Sequence, residues 1–154
     1  MSQRVLITSL VFSAVGLVGL ALHEGFRPDA YPDAVNVNTI GFGSTEGVKL
    51  GDRITVERAL VKLSSDISRH EAGLRKCVGD IPLYQREWDA YVSWTFNVGV
   101  GAACGSTLVK KLRALDYAGA CNELTRWNRA GGKVLRGLTI RRERERALCL
   151  GESQ

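Results

Sequence analysis

Hydrophobic and polar positions divide the chain into one long uncharged run and several shorter periodic stretches. Val5 to Leu22 carries no charge, and its eighteen residues at helical rise just cover the roughly 30 Å hydrocarbon core of a bilayer. Ala34-Val35-Asn36-Val37-Asn38-Thr39-Ile40, closed by Gly41 and Gly43, predicts a small hairpin region of weak, twisted strands. Leu60, Leu63, Ile67 and Leu74 keep helical spacing while Lys62, Asp66, Arg69 and Glu71 mark solvated faces. Thr55 is a suitable N-cap, so a helix is expected from there to about Lys76, with His70 as a surface residue. Past Pro82, Tyr84-Gln85-Arg86-Glu87 opens a helix through Trp88, Tyr91, Val92, Trp94 and Phe96, which Asn97-Val98-Gly99-Val100-Gly101 breaks. Further helices are expected at about 106–115, 117–128 and 138–150. The pattern is that of an α+β chain, mostly helical, with a small hairpin lobe (23–80) joined by the long helix to a larger all-helical lobe (81–154). A cleft between two such lobes is a preferred ligand site.

The balance of the chain narrows the classes. Its 154 residues suffice for one ordinary domain or two small lobes. Hydrophobic residues at 45% against 24% charged indicate a globular fold. A net charge of +5 suits a polyanionic partner, whether cell wall, nucleic acid or membrane surface. Cys77, Cys104, Cys121 and Cys149 form no C-x-x-C pair and have no nearby pair of histidines, so no metal site is expected. An even count behind an export signal suggests two disulfides formed in an oxidising compartment. Three connectivities are open. Cys77–Cys104 with Cys121–Cys149 is favoured because each pair joins neighbouring helical elements.

The uncharged run is a marginal membrane helix. Its eleven Val, Leu, Ile and Phe residues favour insertion by roughly 3–7 kcal/mol, offset in part by Thr8, Ser9, Ser13, Gly16 and Gly19. It could be a cleaved signal peptide, a permanent anchor, or an anchor that later leaves the bilayer and refolds. Arg4 before it orients the amino terminus to the cytoplasm and the body outside.

Directly behind the run, Glu24 and Asp33 stand nine apart, Thr39 follows six later, and Ile40-Gly41-Phe42-Gly43 comes next. This Glu-x8-Asp-x5-Thr spacing, ahead of a Gly-x-Gly turn, resembles the glycoside hydrolase family of T-even phage lysozymes. Trp94-Thr95-Phe96-Asn97-Val98-Gly99, Ser106-Thr107-Leu108 and Arg126-Trp127 extend the resemblance. Ala130-Gly131-Gly132-Lys133 and Gly137-Leu138-x-x-Arg141-Arg142-x-x-Glu145 are similar to the endolysin branch, and in all the likeness covers about Glu24 to Leu150. Ser44 departs from it, since T-even lysozymes carry a histidine after the glycines. The apolar run looks like the signal-anchor-release segment of certain phage endolysins.

The resemblance implies a lysozyme-like fold and a muramidase that cleaves the β-1,4 bond between N-acetylmuramic acid and N-acetylglucosamine, by inversion. Two carboxyls and a water can hydrolyse a glycosidic bond: one protonates the leaving oxygen and the other activates water. Glu24, ending an apolar helix, is placed to serve as general acid, and Asp33, in a polar turn, as base or cation stabiliser. Thr39 would hold the attacking water against Asp33. Asp29 is a nearby competitor with the wrong spacing to Thr39. Thr45, Phe96, Thr107 and Glu123 match substrate-contacting positions of the family, although Phe96 and Trp94 also read as core aromatics. No cofactor is implied. The family's catalytic glutamate closes its first helix, so the chain from about Ala14 onward is needed to hold Glu24. That favours an anchor that is released and refolds (residues 1–22) ahead of a catalytic domain (23–154). The expected partners are peptidoglycan and, transiently through residues 5–22, the host inner membrane before the periplasm. The chain is expected to act as a monomer. The rival readings are a lytic transglycosylase and a non-catalytic, membrane-tethered wall-binding or DNA-binding protein. Arg136, Arg141, Arg142, Arg144 and Arg146, interleaved with Glu143 and Glu145, read as a solvated helix face in preference to a nucleic-acid patch.

Overall fold

The computed structural model of the chain describes residues 3–152. Contacts divide it into a hairpin unit, Ala14–Arg69, and a helical unit, residues 3–13 with 70–152.

The hairpin unit begins with α1 (Ala14–Glu24), which buries Leu20 and Ala21. Val15, Val18 and Leu22 of α1, and Val11 before it, are exposed at i, i+4, i+7 and i+11 spacing. Strands β2 (Arg27–Pro32) and β3 (Asn38–Gly41) follow as an antiparallel hairpin pairing Arg27 with Gly41, Tyr31 with Thr39 and Pro32 with Asn38. The first strand therefore lies ahead of the Ala34–Ile40 stretch, whose first half is the turn. Pro28 and Pro32 are tolerated because a two-stranded ribbon leaves N–H positions unpaired, and the register shifts between Arg27 and Tyr31. Helix α2 (Val56–Val78) starts at the expected cap, with Arg58 N–H 3.4 Å from Thr55 Oγ1. Ala59, Leu63 and Ile67 form its buried stripe in this unit.

The helical unit contains β4 (Pro82–Leu83), α3 (Gln85–Val98), α4 (Val100–Cys104), α5 (Thr107–Arg113) and α6 (Tyr117–Glu123). A short ribbon of β5 (Arg129–Ala130) and β6 (Lys133–Val134) leads to α7 (Arg136–Leu150). Trp88, Tyr91, Trp94, Leu108, Leu112 and Leu124 are among its fully buried large side chains. Trp94 and Trp127 meet edge to face at 5.3 Å. Disulfides join Cys77 to Cys104 and Cys121 to Cys149. The helix after Tyr117 is shorter than its periodicity implied, passing into a 3-10 turn at Leu124–Arg126.

Two features of this unit depart from the sequence pattern. Residues 5–13 are not helical: β1 (Val5–Leu6) pairs with β4, and a 3-10 turn covers Ile7–Ser9. No helix among the described residues is long and apolar enough to cross a membrane. Secondly, Arg141 and Arg142 are buried, not solvated, against α3. Arg141 donates to Ser93 O at 3.3 Å, Arg142 to Asn97 Oδ1 at 3.1 Å, and Ser93 Oγ to Glu145 Oε1 at 2.8 Å. Arg142 Nε lies 3.0 Å from Glu145 Oε2 without the alignment of a hydrogen bond. Burial pulls Arg142 down to about 10 and pushes Glu145 up, so desolvation outweighs their mutual attraction. His70, expected at the surface, is half-buried, with its ring 5.0 Å from that of Phe96.

Candidate active site

Glu24 is the last residue of α1. Leu20 and Ala21 fix that end of the helix in the core, and Gly25, at φ 74°, turns the chain out of it while its N–H still donates to Ala21 O. The rings of Phe26 and Phe42 meet at a tilt, 5.4 Å apart, tying the chain after Glu24 to the turn after β3. The Glu24 carboxyl consequently lies over Gly43: its Oε2 is 3.7 Å from where a Cβ on residue 43 would sit. Both glycines of Gly41-Phe42-Gly43 adopt positive φ, and a Cβ on Gly41 would stand 2.8 Å from Ala59 Cβ on α2. Spacing from Glu24 to these glycines is thus a backbone requirement.

At the other end of the hairpin, Asp33 and Thr39 are registered on one residue. Asp33 Oδ1 accepts from Val37 N–H at 2.8 Å and from Val35 N–H at 3.0 Å. Asp33 N–H donates to Val37 O at 2.9 Å, and Thr39 Oγ1 donates to the same carbonyl at 3.0 Å. Thr39 is buried, and its proton is committed to the backbone, so its lone pairs can accept from a water. The described hydrogen bonds to Asp33 all fall on Oδ1, leaving Oδ2 as the oxygen available for chemistry.

Ser44, marked in the sequence only as a departure, has a definite role in holding this region. It exchanges two backbone hydrogen bonds with Ile40, at 2.9 and 3.0 Å, closing the glycine turn. Its Oγ donates to Asp66 Oδ2 at 2.6 Å, and Asp66 is also paired with Arg69, which reaches Glu46. Thr45, next in line, is exposed.

The helical unit holds the other three residues singled out by sequence. Thr107, the first residue of α5, shares an open cavity of about 340 Å³ with Glu123, Arg126 and Trp127. Glu123 is bound there by Lys111 Nζ at 2.7 Å and by Arg126 at 3.4 Å. The Lys111 hydrogen bond, opposed by desolvation, holds Glu123 below its ordinary value. Phe96 does not line that cavity; its ring is against His70. A larger concavity of the hairpin unit, about 670 Å³ and edged by Arg53, Arg58 and Lys62, includes none of Glu24, Asp33 and Thr39. Among the described residues no cluster of His, Cys, Asp and Glu is arranged to hold a metal ion.

The family model described as Phage lysozyme matches residues 21–145. An endolysin of Acyrthosiphon pisum secondary endosymbiont phage 1 is 41% identical over 140 residues, covering 88% of this chain and 95% of that protein. A SAR-endolysin of bacteriophage PS34 is 36% identical over 133 residues, covering 85% of this chain and 78% of its own. The solved active form of P1 phage endolysin Lyz superposes with a TM-score of 0.81 at 29% identity, covering 94% of this chain and 87% of that one.

Proposed function

The chain belongs to the phage lysozyme family, and on that premise we propose that it is an endolysin of the signal-anchor-release kind. Its reaction is hydrolysis of the β-1,4 bond between N-acetylmuramic acid and N-acetylglucosamine in peptidoglycan. Glu24 gives its proton to the leaving glycosidic oxygen. A water donates one hydrogen to Thr39 Oγ1 and the other to Asp33 Oδ2, which aims its lone pair at the anomeric carbon from the opposite face. Attack there inverts the configuration. Thr45, Phe96, Thr107 and Glu123 contact the glycan.

The observation that carries this reading is the double registration on Val37. A base and a water-holding hydroxyl fixed to the backbone of one residue are what an enzyme delivering water requires. A lytic transglycosylase has no use for that pair. The test is digestion of purified wall with product analysis: the native chain should leave reducing ends, with the α-anomer formed first. Asp33→Ala should lower turbidity clearance by at least about a hundredfold. Anhydro ends, or full clearance by Asp33→Ala, would overturn the assignment.

Before lysis, residues 5–22 hold the chain in the host inner membrane with its amino terminus in the cytoplasm; release then delivers a monomer to the periplasm. The SAR-endolysin relative and the uncharged run support the tether, and the likeness to an active-form structure supports taking the described conformation as the released one. A net charge of +5 favours approach to anionic wall polymers.

A further inference from the structure

The concavity of the hairpin unit that leaves out Glu24, Asp33 and Thr39 is unbalanced in charge. Its lining carries Arg53, Arg58 and Lys62 against one acid, Asp52. Asp52 is already engaged, its Oδ2 accepting from Lys49 N–H at 2.8 Å. Arg53 meets Asp29 at 2.8 Å, but both side chains are largely exposed, so water screens that pair. Lys62 donates to the Glu46 carbonyl at 3.2 Å, which occupies one proton and leaves the charge uncompensated. Among the described residues no acid forms an ion pair with Arg58. Arg58 and Lys62 stand four apart on α2, where like charges oppose helix formation. An anion placed between them would relieve that repulsion.

The same lining includes Ile40, Val48 and Ile54. Ile40 follows Thr39 on β3, and successive side chains of a strand point to opposite faces. The concavity therefore opens on the face of the hairpin away from the Thr39 hydroxyl. Its volume of about 670 Å³ falls within the range of roughly 300–1,000 Å³ typical of small-molecule sites. A single phosphate would fill little of that space. A flat bilayer surface would meet the cations without reaching the apolar wall, and a hydroxyl-rich sugar would set polar groups against it. A short chain with carboxylates at intervals and methyl groups between them satisfies both parts of the lining. The Cβ atoms of Arg58 and Lys62 lie roughly 5–6 Å apart on their helix, close to the roughly 6.6–6.8 Å between alternate residues of an extended peptide.

We propose that this concavity is a second binding site for an acidic, alanine-bearing peptide, held by Arg53, Arg58 and Lys62 with its methyl groups against Ile40, Val48 and Ile54. The wall polymer supplies that chemistry, since its stem peptides carry alanine methyls and free carboxylates. Because the site faces away from Thr39, the peptide it takes belongs to a neighbouring strand of the mesh, not to the sugar being cleaved. Holding one strand raises the effective concentration of the next at Glu24 and Asp33. The site thus acts on KM for the polymer and not on the chemical step. This inference rests on the peptidoglycan reading of the function.

The test titrates the full chain at low salt with the free stem tetrapeptide L-Ala-γ-D-Glu-meso-diaminopimelyl-D-Ala, and with the same peptide carrying amidated carboxyls. Amidation, or the double variant Arg58→Gln with Lys62→Gln, should weaken binding by at least about tenfold. The double variant should keep the native thermal midpoint, since it removes a repulsion. On intact wall its KM should rise by about fivefold or more with kcat unchanged, and on glycan strands stripped of peptide by an amidase it should match the native chain. Lys110→Gln with Arg113→Gln removes two exposed charges of the helical unit and should match the native chain on both substrates. Equal binding of the amidated peptide, an equal rise in KM on stripped strands, or binding through Arg58 and Lys62 to phosphatidylglycerol vesicles but not to the peptide would overturn the proposal. A native chain that cleaves neither intact wall nor stripped strands would instead overturn the muramidase reading, with the peptide titration still deciding the site.

Discussion

The helical unit completely buries Trp88, Tyr91, Trp94, Leu108, Leu112 and Leu124 and carries both disulfides. The hairpin unit has less of both: of its buried apolar residues Leu20, Ala21, Ile40, Phe42, Ala59, Leu63 and Ile67, only Leu63 is large and completely buried, and it holds no cysteine. Yet Glu24, Asp33 and Thr39 all belong to the hairpin unit. Geometry there is set by backbone hydrogen bonds and two glycine turns, which fix side-chain direction without needing bulk. On the proposed reading, rate and stability fall to different halves of the chain, and substitutions can test how cleanly.

The largest effect is expected from Glu24→Gln, which keeps shape and removes the proton donor. Wall hydrolysis should fall by roughly 10²–10⁴-fold while the thermal midpoint stays put; a lowered midpoint would show that the carboxyl also supports the fold. Next, Cys121→Ser with Cys149→Ser opens a loop spanning 28 residues and should cost about 3.5 kcal/mol in denaturant unfolding. Turnover by the molecules that remain folded should be unaltered. Gly41→Ala brings the two halves of the comparison together, since it strains the turn beneath Glu24 at φ 66° and meets Ala59 Cβ. A loss of about 1–3 kcal/mol is expected together with reduced activity, and Ala59→Gly should relieve the contact but not the dihedral strain. The smallest effect concerns Glu123. Its folded pKa is depressed, so its ion pairs with Lys111 and Arg126 stabilise the chain at neutral pH and lose that contribution as pH falls through the depressed value. The difference in thermal midpoint between native and Glu123→Gln proteins should shrink towards zero on acidification.

What the sequence made legible divides along similar lines. Thr55 as a cap and the break before Gly99 follow from local chemistry, and the structure has α2 beginning at Val56 and α3 ending at Val98; the start of α1 at Ala14 was implied by the family resemblance alone. The Glu24, Asp33 and Thr39 spacing was marked by its resemblance to a family pattern, and the structure fastens Asp33 and Thr39 to the backbone of Val37. Residues 5–13 were not readable, because their apolar pattern suits a helix and their actual partners, from Glu71 to Asp89, lie some sixty to eighty positions away. Arg141 and Arg142 were assigned to water because the helix spacing of Leu138, Ile140 and Leu148, interleaved with Glu143 and Glu145, read as a solvated face. Their burial depends on Ser93 and Asn97 of another helix, a relationship no single-helix periodicity contains.

The cross-links also bear on where a molecule can survive. A bacterial cytosol keeps thiols reduced, so a copy stranded before export has none of its staples. Together they contribute about 7 kcal/mol, comparable with the entire net stability of an ordinary domain. Stranded copies would spend much of their time unravelled and fall to housekeeping proteases, and the redox boundary itself would act as a quality gate on where a wall-cutting tool is allowed to mature.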